Sequence, residues 1–222
     1  RLGRQVLLIG HRGHPEVVGT MGQLPEGAVQ LIETEEDVEA FQPADPEALG
    51  YVTQTTLSVD DTAGIVAALE RKFPSMQAPS SESICYATTN RQDAVKAAAP
   101  DTDLFLIVGA PNSSNSRRLV EVAERAGSAR GLLVQGMQDV PMEELQGGMV
   151  LGMSAGASAP EVLTDGILEA LRAQFEVRLE LVQTAIEDEN FPVMRSIRDV
   201  PLTAEDMAFV NGVPRRGDGR AA

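Results

Sequence analysis

The sequence is short of cysteine, of basic residues and of long apolar runs, and each shortage excludes a class of protein. Its single cysteine, Cys85, excludes an internal disulfide framework and cannot alone bind zinc or an iron–sulfur cluster, which take several protein ligands. Lysine and arginine number 18 against 33 acidic residues, and the formal net charge of −15 argues against binding to a phosphate backbone. We therefore expect no nucleic-acid partner.

The apolar runs are too short for a membrane protein. None approaches the ~20 residues that a spanning helix needs, and the first, at residues 6–9, is too short for the apolar core of a signal peptide. We expect no membrane contact and a cytoplasmic location. Because no initiator methionine precedes this run, we also expect the chain to begin inside a longer protein.

Short apolar runs alternate with amphipathic stretches along the chain, which favours an α/β fold with open parallel sheets. The predicted strands are residues 5–9, 28–32, 50–53, 83–85, 104–109, 131–134 and 149–153. The predicted helices are residues 60–73, capped by Ser58 or Asp60, 117–126 and 160–174.

A composition change divides the chain. Residues 74–83 contain two prolines and four serines between a helix and a strand, so we place a domain boundary there. The expected organisation is an α/β domain at 1–80, a second at 81–175 and a C-terminal tail at 176–222. The last residues, 212–222, are rich in glycine, proline and arginine, and we expect them to be disordered.

Turns of small polar residues follow several predicted strands, where a parallel sheet binds ligands at its carboxyl edge. The turn at 112–116, Asn-Ser-Ser-Asn-Ser, offers hydroxyls, amides and backbone N–H groups at a helix start. This composition fits a neutral anion site of the phosphate kind, and it fits an ordinary helix cap equally well. The turn at 154–158 repeats it, with glycine allowing close approach of a backbone. Two such turns favour a phosphate ligand.

Two other features have less specific chemistry. His11, His14 and Glu16 share one turn, whose composition allows a metal site that lacks a fourth ligand, a proton-transfer group, or a plain surface turn. Cys85 follows the predicted strand 83–85, and it is either a small buried apolar residue or a ligand whose companions lie elsewhere.

Taken together, five motifs of this chain resemble the 4-hydroxy-3-methylbut-2-enyl diphosphate reductase family. They occur in the family's order and cover about residues 5–170. The motifs are GHRGHPEVVGTMGQ at 10–23, TQTTLSVDDT at 53–62, ICYATTNRQ at 84–92, NSSNSRRL at 112–119 and SAGASAP at 154–160.

The resemblance implies a three-domain, pseudo-threefold α/β oxidoreductase of the non-mevalonate isoprenoid pathway, of which this chain is two similar parallel-sheet domains and a tail. The family reductively dehydroxylates 4-hydroxy-3-methylbut-2-enyl diphosphate to isopentenyl and dimethylallyl diphosphate at a [4Fe-4S] cluster, with electrons from reduced ferredoxin or flavodoxin. A cluster with three thiolate ligands keeps one iron position open for the substrate oxygen.

The resemblance also implies roles for individual residues. Cys85 would be one of three cluster ligands, Glu16 the proton donor, and Thr55 the hydroxyl that orients Glu16 and the substrate alcohol. The residues implied for the diphosphate are His14, Ser113, Ser114, Asn115 and Ser158.

This chain departs from the family by lacking its first domain, and with it two cysteines and two histidines. One thiolate cannot hold a four-iron cluster, so we expect the chain alone to be inactive and the activity to belong to the complete protein. The alternatives are a phosphate-binding α/β module without redox activity, which leaves Cys85, Glu16 and Thr55 unexplained, and an interaction domain, which explains none of the motifs.

Overall fold

The fold is described from a computed structural model, in which residues 4–79, 84–187, 192, 194–198, 200–201 and 203–207 are described. The chain divides into two compact units, residues 1–185 and 186–222. The first contains every strand among the described residues. The strands are β1 (Gln5–Ile9), β2 (Val29–Ile32), β3 (Leu49–Thr53), β4 (Leu104–Val108), β5 (Gly131–Val134) and β6 (Leu151–Ala155).

Helices follow or precede these strands as in other parallel α/β proteins. The helices of the first unit are α1 (Pro15–Met21), α2 (Glu35–Ala40), α3 (Val59–Lys72), α4 (Tyr86–Ala98), α5 (Ser114–Arg125) and α6 (Glu161–Gln174). Among the described residues of the second unit there is a short helix, α7 (Arg195–Arg198), and a helical turn at 204–207. Thr203 caps that turn, and its hydrogen bonds to the Asp206 carboxylate lower the pKa of Asp206.

The strands form two three-stranded parallel sheets with the same order. The first sheet is β2-β1-β3 and the second is β5-β4-β6, so the earliest strand in sequence is central in each. In register, Leu8 pairs with Leu31 on one side and Val52 on the other. The predicted class, parallel α/β, is therefore confirmed. The boundaries proposed at 80 and 175 stay predictions, since the division into compact units places both sheets together in the first.

Each central strand is buried because helices cover both of its faces. In β1, Leu7 and Ile9 pack in a cluster with residues of α2 and α3, while Leu8 packs on the other face with Val17 of α1. All five residues of β4 are buried. Strands covered on both faces read as unbroken apolar runs, which explains why the sequence revealed them.

The predicted strand at 83–85 is wrong. Cys85 is instead the residue that caps the N-terminus of α4, and Ile84 packs among the core residues of the first sheet. A short apolar pair after a Ser/Pro-rich stretch resembles a strand by composition, but no neighbouring strand pairs with it among the described residues. The small polar residues at 87–90 therefore lie within the first turns of α4 and do not form a loop after a strand.

Other boundaries shift by a few residues. The last strand begins at Leu151 and not at 149, and it ends at Ala155 beside the end of β4. Helix α5 begins at Ser114 and not at 117, because Ser113 caps it. The disorder expected at 212–222 lies outside the described residues. No helix among the described residues is both long and apolar enough to cross a bilayer.

Candidate functional site

Most of the candidate side chains lie just past the carboxyl ends of parallel strands. Glu16 and His14 follow β1, Thr55 follows β3, and Cys85 begins α4. Ser113, Ser114 and Asn115 follow β4, and Ser158 follows β6. In each sheet, the loops after two neighbouring strands therefore meet at one edge.

Glu16 and Thr55 are in direct contact. The Thr55 backbone N–H donates to Glu16 Oε1 at 2.9 Å, and the Thr55 hydroxyl donates to Oε2 at 3.1 Å. Both carboxylate oxygens are thus held by one residue that lies 39 positions further along the chain. Two hydrogen bonds fix the plane of the carboxyl group.

His14 lies at the start of α1, two residues before Glu16. It is the N-cap of α1, and its Nδ1 accepts a hydrogen bond from the Glu16 N–H at 3.3 Å, with Pro15 next to it in the first turn. Since Nδ1 accepts, the proton of the neutral imidazole lies on Nε2, which is free to donate to a ligand.

Cys85 joins the same chain of hydrogen bonds through its backbone. Its N–H donates to the Thr55 carbonyl oxygen at 3.2 Å. The thiol is exposed and does not serve as a cap for α4. The Glu16 carboxylate bonds to Thr55, and Thr55 bonds in turn, through its carbonyl oxygen, to the residue that carries the thiol.

Asn115 is the residue whose polar atoms are least satisfied. It lies in the first turn of α5 with an exposed fraction of 7%, yet neither Oδ1 nor Nδ2 has a hydrogen-bond partner among the described residues. Burying an amide without partners costs about 1–3 kcal/mol for each group left unpaired. Such an amide at a helix N-terminus, where backbone N–H groups and the helix dipole favour anions, is suited to bind an anionic ligand.

The loop after β6 packs closely on that helix start. A side-chain carbon on Gly109 or Gly156 would collide with Ser116 Oγ, and one on Gly156 would lie 3.8 Å from Asn115 Nδ2. Only glycine allows this approach, which brings the loop of the exposed Ser158 to α5. Ser113 is occupied as the cap, accepting from the Ser116 N–H at 3.3 Å and from its hydroxyl at 3.0 Å.

The two groups of candidates are linked at their margin. Arg118, one turn beyond Asn115, has Nη2 3.2 Å from His11 Nε2, while its Nη1 donates to Asp61 in α3 at 3.0 Å and also contacts Glu121. Among the described residues, none of these hydrogen bonds joins Ser114, Asn115 or Ser158 directly to Glu16 or Cys85. The six motif residues His14, Glu16, Thr55, Cys85, Asn115 and Ser158 are expected to face one common cleft, and this stays a prediction.

The His11–His14–Glu16 turn does not gather its side chains around one point. His11 faces Arg118, His14 Nδ1 faces a backbone N–H, and Glu16 binds Thr55. Over the described ranges, no group of three or more His, Cys, Asp or Glu is placed to bind a metal ion.

Sequence reasoning missed three contact residues. Gln54, Gln92 and Arg118 each connect two loops or helices at this edge. Both glutamines lie inside the quoted motifs at 53–62 and 84–92. Their partners, apart from Thr56, are 33 to 43 residues away in the sequence, so no local pattern shows them.

These features define a parallel α/β protein in which Glu16 and Thr55 are in contact, Cys85 is bonded to Thr55 through its backbone, and the start of α5 carries the unpartnered amide of Asn115. The family model for LytB protein matches residues 1–172. The chain belongs to the LytB protein family.

Similar proteins agree with this assignment. Two bacterial relatives, from Mesorhizobium japonicum and Chelativorans sp., are named 4-hydroxy-3-methylbut-2-enyl diphosphate reductase and are 66% and 67% identical over 212 and 213 residues. These alignments cover 96% of this chain but only 63% and 64% of the relatives, so the chain spans just under two thirds of their length.

A solved structure has the same fold. The E-1-hydroxy-2-methyl-but-2-enyl-4-diphosphate reductase from Plasmodium falciparum superposes with a TM-score of 0.77 at 32% sequence identity. The match covers 94% of this chain and 63% of that structure. The family resemblance found from the five motifs is confirmed.

Proposed function

We propose that the complete protein to which this chain belongs is an iron–sulfur oxidoreductase that converts 4-hydroxy-3-methylbut-2-enyl diphosphate to isopentenyl and dimethylallyl diphosphate. The reaction breaks one C–O bond, consumes two electrons and two protons, and releases water. Family membership and the names of relatives that are two thirds identical support this reaction. The observation that carries it is the joining of Glu16, Thr55 and Cys85, which a module that only binds phosphate does not need.

The diphosphate is assigned to the start of α5 and the loops beside it. The unpartnered amide of the buried Asn115 supplies one donor, and Ser113, Ser114, Ser158 and His14 Nε2 supply others. These groups are neutral, and the helix dipole adds a favourable field. Neutral donors suit a diphosphate in a site from which water is excluded.

Glu16 is proposed as the acid that delivers protons. Thr55 holds both of its oxygens, so the carboxyl group keeps one orientation while a substrate alcohol approaches. A positioned acid of this kind contributes about 10²–10⁴-fold to a rate.

Cys85 is proposed as one ligand of the cluster. Its exposed thiol, unused by the helix that it caps, fits that role, and the sequence has no second cysteine, so further thiolates must come from outside these 222 residues. When bound, the cluster supplies electrons and an open iron position for the substrate oxygen. Reduced ferredoxin or flavodoxin is proposed as the electron donor.

The test uses the complete protein, purified without oxygen and reduced with dithionite. We expect turnover of 4-hydroxy-3-methylbut-2-enyl diphosphate to the two isoprenyl diphosphates, while the 222-residue chain gives none. Tight binding of the substrate without any product from an iron-loaded complete protein would overturn the proposal in favour of a phosphate-binding module.

A substitution tests whether Cys85 is a ligand of the cluster. Cys85→Ser in the complete protein should lower the iron-to-protein ratio, because a serine hydroxyl is a poor replacement for a thiolate at iron. Unchanged iron content and absorbance would remove Cys85 from the ligand set.

A further inference from the structure

Helix α4 connects the cores of the two sheets. Ile84, two residues before the helix begins at Tyr86, packs with Leu57 and Leu69 in the core of the first sheet. Val95 in the last turns of α4 packs with Phe105 of the second sheet. The position of Cys85, at the N-terminus of α4, therefore depends on how this helix is held against both sheets.

Gln92 makes a buried polar connection between α4 and the segment that follows β3. Its Nε2 donates to the Leu57 carbonyl oxygen at 2.9 Å, and its Oε1 accepts from the Val59 N–H at 3.2 Å. The side chain is fully buried, with an exposed fraction of 0%. Val59 is the first residue of α3, so its N–H has no partner within that helix, and Gln92 supplies one.

The same loop contacts Cys85 directly. The Cys85 N–H donates to the Thr55 carbonyl oxygen at 3.2 Å, so three hydrogen bonds connect α4 to residues 55–59. This loop begins with Thr55, which holds both oxygens of Glu16. Whatever fixes α4 on the loop thus fixes the thiol relative to the carboxylate.

We propose that Gln92 is a positioning residue, which holds the Cys85 thiol in register with the Thr55–Glu16 pair. Gln92 touches neither the substrate nor the reacting atoms in this role. The inference rests on the proposed function, in which Cys85 binds the cluster and Glu16 supplies protons. It adds a residue that determines the separation between the electron source and the proton source.

A purely stabilising role for Gln92 makes a different prediction. Removing its amide leaves two buried backbone groups unpaired, so the free energy of unfolding falls in either case. If Gln92 is a positioning residue, its removal should also make the hydrogen bond between Cys85 and Thr55 open more often. If Gln92 only stabilises the fold, that bond should open no more often than in another variant with the same loss of stability.

The first measurement is amide hydrogen exchange at Cys85 in the complete protein, followed by mass spectrometry of the peptides that contain this residue. Gln92→Met keeps the side-chain length and removes both hydrogen bonds. We expect the Cys85 amide to exchange roughly fivefold faster or more, the effect of losing about one net hydrogen bond from a local opening equilibrium. If this variant does not fold, Gln92→Glu, which keeps the acceptor for the Val59 N–H, gives the same comparison with a smaller change.

Thr102→Val is the matched control. Thr102 is buried just past the C-terminal end of α4, where its hydroxyl donates to the Ala99 carbonyl oxygen at 2.8 Å. The control loses a buried hydrogen bond near the same helix, far from its N-terminus. Its Cys85 amide should exchange at the wild-type rate.

The second measurement is iron retention in the complete protein. We expect Gln92→Met to lose iron to a chelator several-fold faster than either wild type or Thr102→Val. Equal exchange at Cys85 and equal iron loss in the two variants would overturn the proposal. A wild-type protein that binds no iron would instead refute the proposed function, while the exchange result would still test the contact between α4 and the loop.

Discussion

At the scale of single residues, the site combines fully occupied side chains with one that has no partner. Glu16 has both oxygens engaged by Thr55, whereas Asn115 is buried with both ends of its amide free among the described residues. Glu16 is therefore held in place by the protein alone, and Asn115 is stabilised only when something binds to it.

Changing Glu16 should separate binding from turnover. Glu16→Gln keeps the size and one accepting oxygen for the Thr55 N–H but removes the acid. In the complete, iron-loaded protein we expect substrate to bind nearly as before while kcat falls by about 10²–10⁴-fold, measured by steady-state kinetics and by equilibrium binding. A near-wild-type kcat for this variant would show that water or a histidine, and not Glu16, donates the proton.

Changing Asn115 should move stability and affinity in opposite directions. Asn115→Leu keeps the branched shape and the number of heavy atoms and removes the unpaired amide, so the unliganded protein should gain about 1 kcal/mol in free energy of unfolding. The same variant should bind the substrate more weakly, because its diphosphate donor is gone. Thermal unfolding and calorimetric titration of the complete protein measure the two effects, and a loss of stability would mean that Asn115 has a partner within the protein.

At the scale of helices and strands, the sequence indicated the buried strands and missed several helices. Strand β4 is an unbroken apolar run and was found, while α4 was hidden because its first turns carry Thr88, Thr89 and Asn90, which are poor helix formers. Helix α2 has a capping box between Thr34 and Asp37 that could have revealed it.

The contacts between elements were less accessible to sequence reasoning. The family motifs led to the expectation that Thr55 orients Glu16, and the two residues are hydrogen-bonded. The partners of Gln92 and Arg118 were not predicted. Both residues lie in helices beside the second sheet and bond to residues 57–61, which follow the first sheet, so the sequence around them carries no local periodic signal.

Two glycine variants test the packing of the β6 loop on α5. Gly156→Ala places a carbon against Ser116 Oγ, so the loop or the helix start must shift; we expect a loss of about 1–3 kcal/mol in stability and weaker substrate binding. Gly166→Ala lies in α6 with no atom within 4 Å of the added carbon, and should gain up to about 1 kcal/mol from helix propensity. Denaturant unfolding compares the two, and equal effects would show that the close approach at Gly156 is not a constraint.

At the scale of the first unit, an ion network connects the helices of the two sheets. Asp61 of α3 accepts from Arg118 at 3.0 Å and from Arg125 at 2.6 Å, both in α5. The Asp61 side chain is 41% exposed and that of Arg118 only 14%, so the network is partly screened by solvent. An exposed and screened network of this kind contributes little to the attachment between the sheets.

Removing Asp61 should therefore have a small and salt-dependent effect. We expect Asp61→Asn to lower the free energy of unfolding by at most about 1 kcal/mol at low salt, and by less at 1 M sodium chloride. Glu33→Gln, which removes an ion pair with Arg12 beside the first sheet, is the control for a pair that does not connect the two sheets. Unfolding curves at both salt concentrations measure the difference, and a large loss for Asp61→Asn at high salt would assign the attachment to this network.

Each sheet is made of three strands that are consecutive in the sequence, and this affects the order in which the site forms during synthesis. The first sheet uses residues 5–53 only and the second uses 104–155, and domains generally fold from the N-terminus as the ribosome extends the chain. The hydrogen bonds between Glu16 and Thr55 can form once the loop after β3 has emerged. Cys85 is added with α4, and Asn115 and Ser158 are synthesised later still. A nascent chain stalled before residue 112 would already contain the bonded Glu16 and Thr55, but it would lack the start of α5, to which the diphosphate is assigned.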